Sequence, residues 1–309
     1  MKEVKVFCPA SVANVSCGFD LMGFALKTIG DEMIVRKTRR TGVFIKHIEG
    51  YELPYEPELN VAGKAALSML EKLNTTTGIE IEIYKKIHPG SGIGSSSASA
   101  SGVVFAINEL FDRPFSEKEL IEFGMEGEFV ASKSYHADNV APALIGGMVF
   151  IRGYQPLDYF KIPVPQDLYC TIISPLITIK TLDARRVLKS KIHFKDAVTQ
   201  CGNLGGLISG LYTSDYDLIS RSLIDVLVEP QRAWLIPLFK ELKQEGIKSS
   251  ALGVGISGSG PSVFALSKGK TNAEKVAESF KKVYKNTSID FNIYTSPINT
   301  EGSCIIHQK

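Results

Sequence analysis

The chain has 309 residues, of which 44% are hydrophobic and 22% are charged. This composition provides enough apolar material for a packed core and excludes global disorder. Lysine and arginine number 35 against 33 aspartates and glutamates, so the formal net charge is +2. This near balance argues against a nucleic-acid partner, because binding to a phosphate backbone requires a concentrated basic surface. It leaves room for a local pocket that binds a small phosphorylated ligand.

The cysteines and the apolar segments point to a cytoplasmic location. Five cysteines are dispersed along the chain, and none belongs to a C-x-x-C pair. This pattern is typical of a reduced protein and not of a disulfide framework or a zinc site. The N-terminal segment lacks the apolar region of a secretion signal, and no stretch approaches the roughly 18 apolar residues of a membrane span. The sequence therefore predicts a cytoplasmic protein without a membrane partner.

The spacing of apolar residues in the first half predicts a mixture of strands and helices. In residues 79–83, isoleucines alternate with glutamates, as in a half-buried strand. Ser116 and Glu119 have the spacing of a capping box, which predicts the start of a helix. Further strands are expected at residues 2–7, 31–36, 42–49 and 147–152, and further helices at residues 58–74 and 95–110.

The second half of the chain repeats this mixture, which indicates an α+β protein. A group of prolines near residues 153–166 interrupts the pattern and predicts two domains, residues 1–155 and 156–309. The strands expected after this boundary are 168–174, 249–257, 262–266 and 289–295, and the helices are 195–213, 217–228, 234–244 and 272–285.

The segment from His88 to Gly102 carries the strongest functional signal. Its glycines at positions 90, 92 and 94 remove the Cβ atoms that would keep a ligand from the backbone, and they permit positive φ. The serines that follow place N–H groups and hydroxyls at the N-terminus of a helix, where an anion is stabilised. A flexible linker has a similar composition but would not lead at once into an apolar helix. The segment therefore predicts a phosphate-binding loop, although it is neither a Walker A loop nor part of the protein-kinase motifs.

A second glycine-rich segment, Gly253–Gly258, formally matches the G-x-G-x-x-G dinucleotide fingerprint. That fingerprint should follow the first strand and open a helix, whereas this segment leads into another predicted strand. We therefore expect a tight turn between two strands, suited to the close approach of an anion or of another loop.

Several other polar residues are ambiguous on their own. Asn14 and Asp20 lie in a segment of small residues and fit ordinary turn chemistry. Glu128 shares a predicted helix with another glutamate two positions earlier, so only one of the two faces a site. Arg185 and Arg232 fit a solvated surface as well as a binding site. The five histidines have no dense metal-binding spacing, which disfavours a zinc site made by the protein alone.

Taken together and in order, these motifs resemble those of the GHMP kinases, small-molecule kinases named for galactose, homoserine, mevalonate and phosphomevalonate. The family's phosphate loop, a proline followed shortly by G-L-G-S-S-A-A, is similar to Pro89–Ala98. Ile93 replaces the leucine, and Ser97 replaces the first alanine. The family's C-terminal glycine motif is similar to Ile256–Ser262. The match extends over the whole chain.

Three further segments are similar to the family members that act on homoserine. They are Pro9–Asn14 with Gly18–Asp20, then His136–Pro142, and then Glu229–Arg232. The resemblance implies ATP-dependent phosphorylation of the side-chain hydroxyl of L-homoserine, on the route to threonine. It also implies a homodimer and a two-domain fold, with an N-terminal domain like ribosomal protein S5 domain 2 and a ferredoxin-like C-terminal domain.

The resemblance further implies roles for residues that would contact the acceptor. Asn14 and Asp20 would hold the substrate ammonium, Arg185 and Arg232 would bind its carboxylate, and Asn139 would lie near the reacting hydroxyl. Mevalonate-type relatives carry an aspartate base where this chain has Asn139. Since an amide is not a base, we expect direct attack by the hydroxyl without a strong protein base.

For the donor, the resemblance implies ATP and Mg²⁺. Ser96 and Glu128 would ligate the metal, but the extra hydroxyl leaves Ser95, Ser96 and Ser97 open as alternatives for the serine ligand. Asn60 would lie near the adenine. The phosphates would be held by Pro89, Gly90, Ser91, Gly92, Ile93, Gly94, Ser95, Ser96 and Ser97.

Two alternative functions stay open. One is a kinase of the same family with a different acceptor. The other is a non-catalytic sensor with the same fold, which binds a nucleotide or an amino acid to control a partner. The residues expected around the acceptor suit an amino acid better than a sugar or an isoprenoid, and an intact metal site disfavours the sensor.

Overall fold

The computed structural model describes residues 2–179 and 181–309. The strands are β1 (Glu3–Ala13), β2 (Met22–Thr38), β3 (Val43–Glu49), β4 (Gly78–Tyr84), β5 (Met148–Tyr154), β6 (Leu157–Ile162), β7 (Leu168–Pro175), β8 (Gly253–Ile256), β9 (Val263–Lys268), β10 (Phe291–Pro297) and β11 (Cys304–Gln308). The helices are α1 (Val61–Leu73), α2 (Ser95–Leu110), α3 (Glu117–Ser132), α4 (Val140–Ile145), α5 (Thr181–Arg186), α6 (Phe194–Thr213), α7 (Tyr216–Ser222), α8 (Glu229–Arg232), α9 (Phe239–Lys248) and α10 (Lys270–Tyr284).

Two sheets organise these elements. The larger sheet has the order β11-β1-β2-β4-β3, and the β5–β6 hairpin joins it through β2. Its pairs are antiparallel except for β3 and β4, which run parallel. The smaller sheet is antiparallel and has the order β10-β7-β9-β8. In chain order its strands lie fourth, first, third and second, which is the ferredoxin-like arrangement. The predicted α+β fold with two units is confirmed.

Helix α2 packs tightly against the larger sheet because its residues are small. Residues 97–104 of this helix are all buried. At Gly102 a Cβ would lie 2.0 Å from Cys8 Sγ on β1, so any larger residue would force Cys8 or the helix to move. Helix α3 begins at the predicted capping box, in which Ser116 accepts from the Glu119 amide and Glu119 bonds back to Ser116. These contacts fix α2 and α3 beside the predicted phosphate loop.

The smaller sheet is covered by helices α9 and α10. Their apolar faces bury Leu242, Val276 and Phe280 against Val254 and Val263 of the sheet. This apolar cluster is separate from the large core that fills the first unit. None of the helices in the described part of the chain has the length and apolar character needed to cross a bilayer.

The strand pairing corrects the predicted boundary between residues 155 and 156. That division would split the β5–β6 hairpin, whose two strands pair from Met148 opposite Ile162 to Tyr154 opposite Leu157. The C-terminal strand β11 also returns to pair with β1. The boundary therefore lies between β6 and β7, and the end of the chain belongs to the larger sheet.

Other differences arise where elements are short or adjacent. The sequence did not indicate β6, β11, α4 or α5, which have five or six residues each. The helix expected at 217–228 ends at Ser222, and a separate turn of helix begins at Glu229. The helix expected from residue 234 begins at Phe239, after Pro237. Such short segments carry too few apolar residues to establish a period.

The two glycine-rich segments meet at the junction between the sheets. The carbonyl of Gly92 accepts a hydrogen bond from Ser257 Oγ at 2.8 Å, and the Ser262 amide donates to the Ser91 carbonyl at 3.1 Å. The expected tight turn between two strands is confirmed, because residues 257–262 connect β8 to β9. The turn packs directly against the predicted phosphate loop and determines its shape.

Replacing Gly92 with alanine should destabilise this junction. Gly92 has φ +83°, and a Cβ would lie 2.6 Å from the Gly260 carbonyl oxygen and 2.7 Å from that of Ser257. We expect Gly92→Ala to lower the free energy of unfolding by at least about 1–3 kcal/mol, measured by denaturant titration. Gly202→Ala is the matched control, because Gly202 lies in α6 with open space around its Cβ position, and it should gain up to about 1 kcal/mol. Equal stability of the two variants would contradict this account.

Candidate active site

A cleft of about 590 Å³ lies where the phosphate loop meets the β8–β9 turn and helices α3 and α5. Fourteen of the predicted site residues line it: Asn14, Asp20, Asn60, Pro89, Gly90, Gly92, Gly94, Ser95, Ser96, Ser97, Glu128, Asn139, Arg185 and Arg232. Residues that are far apart in the sequence therefore converge on one cavity.

Two of the predicted phosphate-loop residues face the interior instead. The side chains of Ser91 and Ile93 are 1% and 2% exposed and do not line the cleft. Their backbone carbonyls accept hydrogen bonds from the amides of Ser262 and Ser11. Glycines occupy every second position of this loop and line the cleft, so the side chains between them point away from the cleft. Ser91 and Ile93 therefore anchor the loop through their backbone carbonyls, and their place among the residues that hold the phosphates stays a prediction.

The loop itself has the conformation that the glycines were expected to allow. Gly90, Gly92 and Gly94 have φ of +76°, +83° and +70°. Gly94 is the N-cap of α2, and a Cβ there would lie 2.2 Å from Ser11 Oγ. The 16-residue helix α2 begins at Ser95 inside the cleft and directs its first amide groups toward it. This arrangement can bind the phosphates of a nucleotide.

The expected metal ligands lie beside this helix. Glu128 is 8% exposed, and its Oε1 accepts no hydrogen bond from the residues that the structure describes. Burial raises the pKa of Glu128, and the hydroxyls of Ser96 and Ser97 oppose that shift. Ser95 is committed elsewhere, because its Oγ donates to the Ile87 carbonyl at 3.0 Å. A buried carboxylate oxygen and adjacent hydroxyls fit Mg²⁺, which takes few protein ligands and completes its shell with phosphate oxygens and water.

At the other end of the cleft, two arginines lie near one aromatic ring, and one of them pairs with Asp20. Arg185 donates to Asp20 through two hydrogen bonds of 2.7 and 3.1 Å. The guanidinium groups of Arg185 and Arg232 lie 5.5 and 5.0 Å from the centre of the Phe19 ring. Arg232 is 3% exposed, and burial together with the nearby Arg185 charge lowers its pKa to about 10. It is therefore still charged at neutral pH, and the pair of cations favours an anion between them.

Asn14 holds this group of charges in place. Its Oδ1 accepts from the Asp20 amide at 2.9 Å, and its Nδ2 donates to the Gly258 carbonyl at 2.7 Å. Both Asn14 and Asp20 have positive φ, 66° and 58°, so the turn is unusual and is stabilised by these bonds. Asn14 thus connects the substrate end of the cleft to the β8–β9 turn.

The two other predicted asparagines, Asn60 and Asn139, differ in how many of their side-chain polar atoms form hydrogen bonds. Asn60 is the N-cap of α1: its Oδ1 accepts from the amides of Ala62 and Gly63, and its Nδ2 donates to the Pro54 carbonyl. Its polar atoms therefore shape the wall of the cleft. Asn139 lines the cleft and accepts from Ser11 Oγ at 2.8 Å through its Oδ1.

The sequence interpretation missed further residues that line the cleft. They include Lys85, His136, Asp138 and Thr181. Asp138 is 4% exposed, and burial, reinforced by the Asp20 charge, raises its pKa from 3.8 to about 7. Burial lowers the pKa of His136, so the imidazole near Asp20 is neutral at neutral pH. The signal for both residues was their position in the segment that contains Asn139.

Comparisons with known proteins show which family models and which relatives this chain matches. The GHMP kinase N-terminal domain model matches residues 60–147, and the GHMP kinase C-terminal model matches residues 201–286. A homoserine kinase of Chlorobium phaeovibrioides is 44% identical over 320 residues, which cover 99% of this chain and 100% of that protein. A homoserine kinase of Methanococcus maripaludis is 41% identical over 288 residues, which cover 92% of this chain and 94% of that protein.

Solved structures agree with these matches. The crystal structure of homoserine kinase from Cytophaga hutchinsonii is 47% identical and has a TM-score of 0.96, covering 99% of this chain and 98% of that one. The mevalonate kinase of L. major in complex with R-mevalonate is 16% identical with a TM-score of 0.73, covering 95% of this chain and 96% of that one, and shares the fold.

The buried carboxyl of Asp138 should make stability depend on pH. Its folded-state pKa of about 7 lies above the ordinary value of 3.8, so its contribution is present below about pH 4 and is lost as the pH rises through 7. The free energy of unfolding of the wild type should therefore fall relative to that of Asp138→Asn over this window, by about 1.4 kcal/mol per pKa unit. Denaturant titration across pH measures the difference.

Asp112→Asn is the matched control, because Asp112 is exposed. It should follow the wild-type curve at every pH. A wild-type curve parallel to that of Asp138→Asn would show that Asp138 does not titrate in this window.

Proposed function

Since the chain belongs to the GHMP kinase family, we propose that it transfers the γ-phosphoryl group of ATP to the side-chain hydroxyl of L-homoserine. The observation that carries the proposal is the group formed by Asp20, Arg185 and Arg232 at one end of the cleft. It presents one carboxylate and two guanidinium groups, and the phosphate loop lies at the other end. The product, O-phosphohomoserine, lies on the route to threonine.

An amino acid complements this group of charges. Its ammonium would bind Asp20, and its carboxylate would bind between Arg185 and Arg232, where a guanidinium offers a planar fork. Because Asp20 and Arg185 are partners of each other, the substrate would replace that ion pair with two new ones. An acceptor with only one of the two charges would leave Asp20 or Arg185 without a partner in a partly buried site, which is costly. The pair therefore selects for a zwitterion.

The donor end supplies positioning and charge stabilisation. The amides at the start of α2 and the glycines of the loop would hold the phosphates, with Ser96 or Ser97 and Glu128 as the protein ligands of Mg²⁺. Bound Mg²⁺ would neutralise charge that develops on the phosphate oxygens. Ser95 is less suited to this role because its hydroxyl already bonds to the loop.

Asn139 would orient the reacting hydroxyl. An amide cannot remove its proton, so we infer that the hydroxyl attacks the γ-phosphorus while Asn139 holds it in line. The bond between the γ-phosphorus and the ADP oxygen breaks, and the hydroxyl proton passes to an oxygen of the transferred phosphoryl group and then to solvent. Ser11, which donates to Asn139 Oδ1, fixes the orientation of the amide and leaves its N–H groups for the substrate. This role depends on placing the reactants together, which in such transfers accounts for much of the rate.

The alternatives are a different acceptor and a non-catalytic sensor. The paired charges disfavour sugars and isoprenoid acids, which lack an ammonium, and the buried Glu128 oxygen beside hydroxyls favours a working metal site. ATP consumption measured with homoserine, mevalonate, shikimate and galactose tests both: activity confined to homoserine supports the proposal, and activity with none of them supports a sensor. The homodimer stays a prediction of the family resemblance, and the cytoplasmic location stays a prediction from the cysteine pattern and the apolar segments.

Glu128→Gln should lose most turnover while the protein folds normally. Removing the carboxylate charge weakens the metal site, and metal charge stabilisation is worth several kcal/mol in such transfers. The matched control is Glu126→Gln, because Glu126 lies on the same helix, does not line the cleft, and bonds to Tyr135. Steady-state kinetics should show near-normal turnover for this control. The reverse result would place the metal ligand on the other face of α3.

Arg185→Lys and Arg232→Lys should lower kcat/KM for homoserine by roughly ten- to hundredfold, since each lost charge-assisted pair is worth about 1.5–3 kcal/mol. Lysine keeps the charge but loses the planar fork. With aminopropanol, the homoserine analogue that lacks the carboxylate, the same variants should lose much less. The measurement is kcat/KM with both acceptors.

KM for ATP should change little in these variants, because the arginines belong to the acceptor end. Equal losses with both acceptors would mean that the arginines serve the phosphates or the fold, and the zwitterion proposal would fail.

A further inference from the structure

Beneath the phosphate loop lies a buried ion pair that the proposed chemistry does not use. Lys85 Nζ bonds to Asp31 Oδ2, and the two side chains are 2% and 1% exposed. Lys85 immediately follows β4, and Asp31 belongs to β2. The last paired residues of these strands are Glu32 and Tyr84, so the ion pair is located where the β2–β4 ladder ends and the chain leaves the sheet.

Asp31 binds the chain that enters the loop. Its Oδ1 accepts from the amide of Lys86 at 2.7 Å and from the amide of Ile87 at 2.9 Å. The carboxylate therefore takes the place of a neighbouring strand for two amides beyond the end of the ladder. These amides directly precede the loop that begins at His88.

Lys85 binds the chain that leaves the loop. Its ammonium donates to the Ser95 carbonyl at 2.7 Å and to Ser99 Oγ at 3.1 Å, both in the first turns of α2. Ser95 Oγ in turn donates to the Ile87 carbonyl at 3.0 Å. The ion pair thus joins the residues just before the loop to the residues just after it.

A purely stabilising role does not explain this arrangement. Burying two charges costs several kcal/mol per ion, and an apolar pair of the same size is often at least as stable. What the ion pair provides is directional hydrogen bonding to backbone groups at both ends of one loop. Each carboxylate oxygen has at least one bond, and the ammonium has three acceptors, so neither group is free to rearrange.

We propose that Asp31 and Lys85 act as one positioning unit, which sets the separation between the ends of the phosphate loop and thereby prepares it for the nucleotide. The inference rests on the proposed function only in taking ATP as the ligand of the loop. Neither residue needs to touch the substrate. Preorganisation of a binding loop contributes to affinity by reducing the ordering that binding requires.

The test measures the affinity for Mg·ADP by calorimetry, without any acceptor, in Asp31→Asn, in Lys85→Met and in the double variant. Each single change should weaken nucleotide binding by at least about tenfold, which corresponds to about 1.4 kcal/mol. The double variant should lose less than the product of the two single losses, because each single change leaves one buried charge without its partner. KM for homoserine at saturating ATP should stay within about twofold.

Two controls separate positioning from general destabilisation. Ser99→Ala removes one of the three acceptors of Lys85 within a helix and should give a smaller loss in a fully folded protein. Arg36→Met removes two ion pairs of the same strand β2, which Arg36 forms with Glu3 and Glu82 away from the loop. It should lower the melting temperature without changing the affinity for Mg·ADP.

Three results would overturn the proposal. In the first, the single variants fold and bind Mg·ADP as the wild type does. In the second, Lys85→Met weakens binding while Asp31→Asn does not, which would mean that the lysine itself meets the phosphates. In the third, Arg36→Met weakens binding as much as Asp31→Asn. Because the calorimetry uses no acceptor, failure of the homoserine assignment would leave the affinities for Mg·ADP unchanged and would appear only in the acceptor assays.

Discussion

The site depends on the close approach of two backbone segments from different sheets. Gly92 of the phosphate loop lies against the carbonyls of Ser257 and Gly260, at a separation that leaves no space for a Cβ atom. The Gly258 amide also donates to the Ala13 carbonyl, and Asn14 donates to the Gly258 carbonyl. Three segments from distant parts of the sequence therefore form one rigid junction. The cleft exists because this junction holds the donor end and the acceptor end at a defined distance.

The two ends of the cleft differ in the groups that they present to a ligand. At the donor end, backbone amides and a helix N-terminus would face the phosphates of the proposed nucleotide, and the charges of Asp31 and Lys85 are already neutralised by each other. At the acceptor end, charged side chains face the cleft and can exchange their partners for those of the substrate. A fixed loop suits the phosphates of the donor, because they are the same whatever the acceptor. Charged side chains that can exchange their partner for a substrate group suit discrimination among acceptors.

Long, periodic elements could be predicted from the sequence, and short ones could not. Helices α2 and α6 and the capping box of α3 were located from apolar spacing and local polar signals. Strand β11 escaped prediction because its partner is β1, at the other end of the chain, and no local pattern reports such a pairing. A tight turn was expected near the glycine motif at 253–258 because the strands on both sides were recognisable; residues 253–256 form β8, and the turn occupies residues 257–262.

The sequence alone predicted the phosphate loop, the family and fourteen of the residues that line the cleft. The loop could be predicted because glycines that permit positive φ and a small-residue helix start are local requirements of anion binding. Only the tertiary structure decided how those residues are engaged. In the structure, the side chains of Ser91 and Ile93 are buried, and those of Ser95 and Asn60 form hydrogen bonds to backbone groups. Asp20 pairs with Arg185, and Asp31 lies under the loop, where it pairs with Lys85. These ion pairs join residues that are distant in the chain. The chemical type of a side chain does not show which distant residue the fold will place beside it.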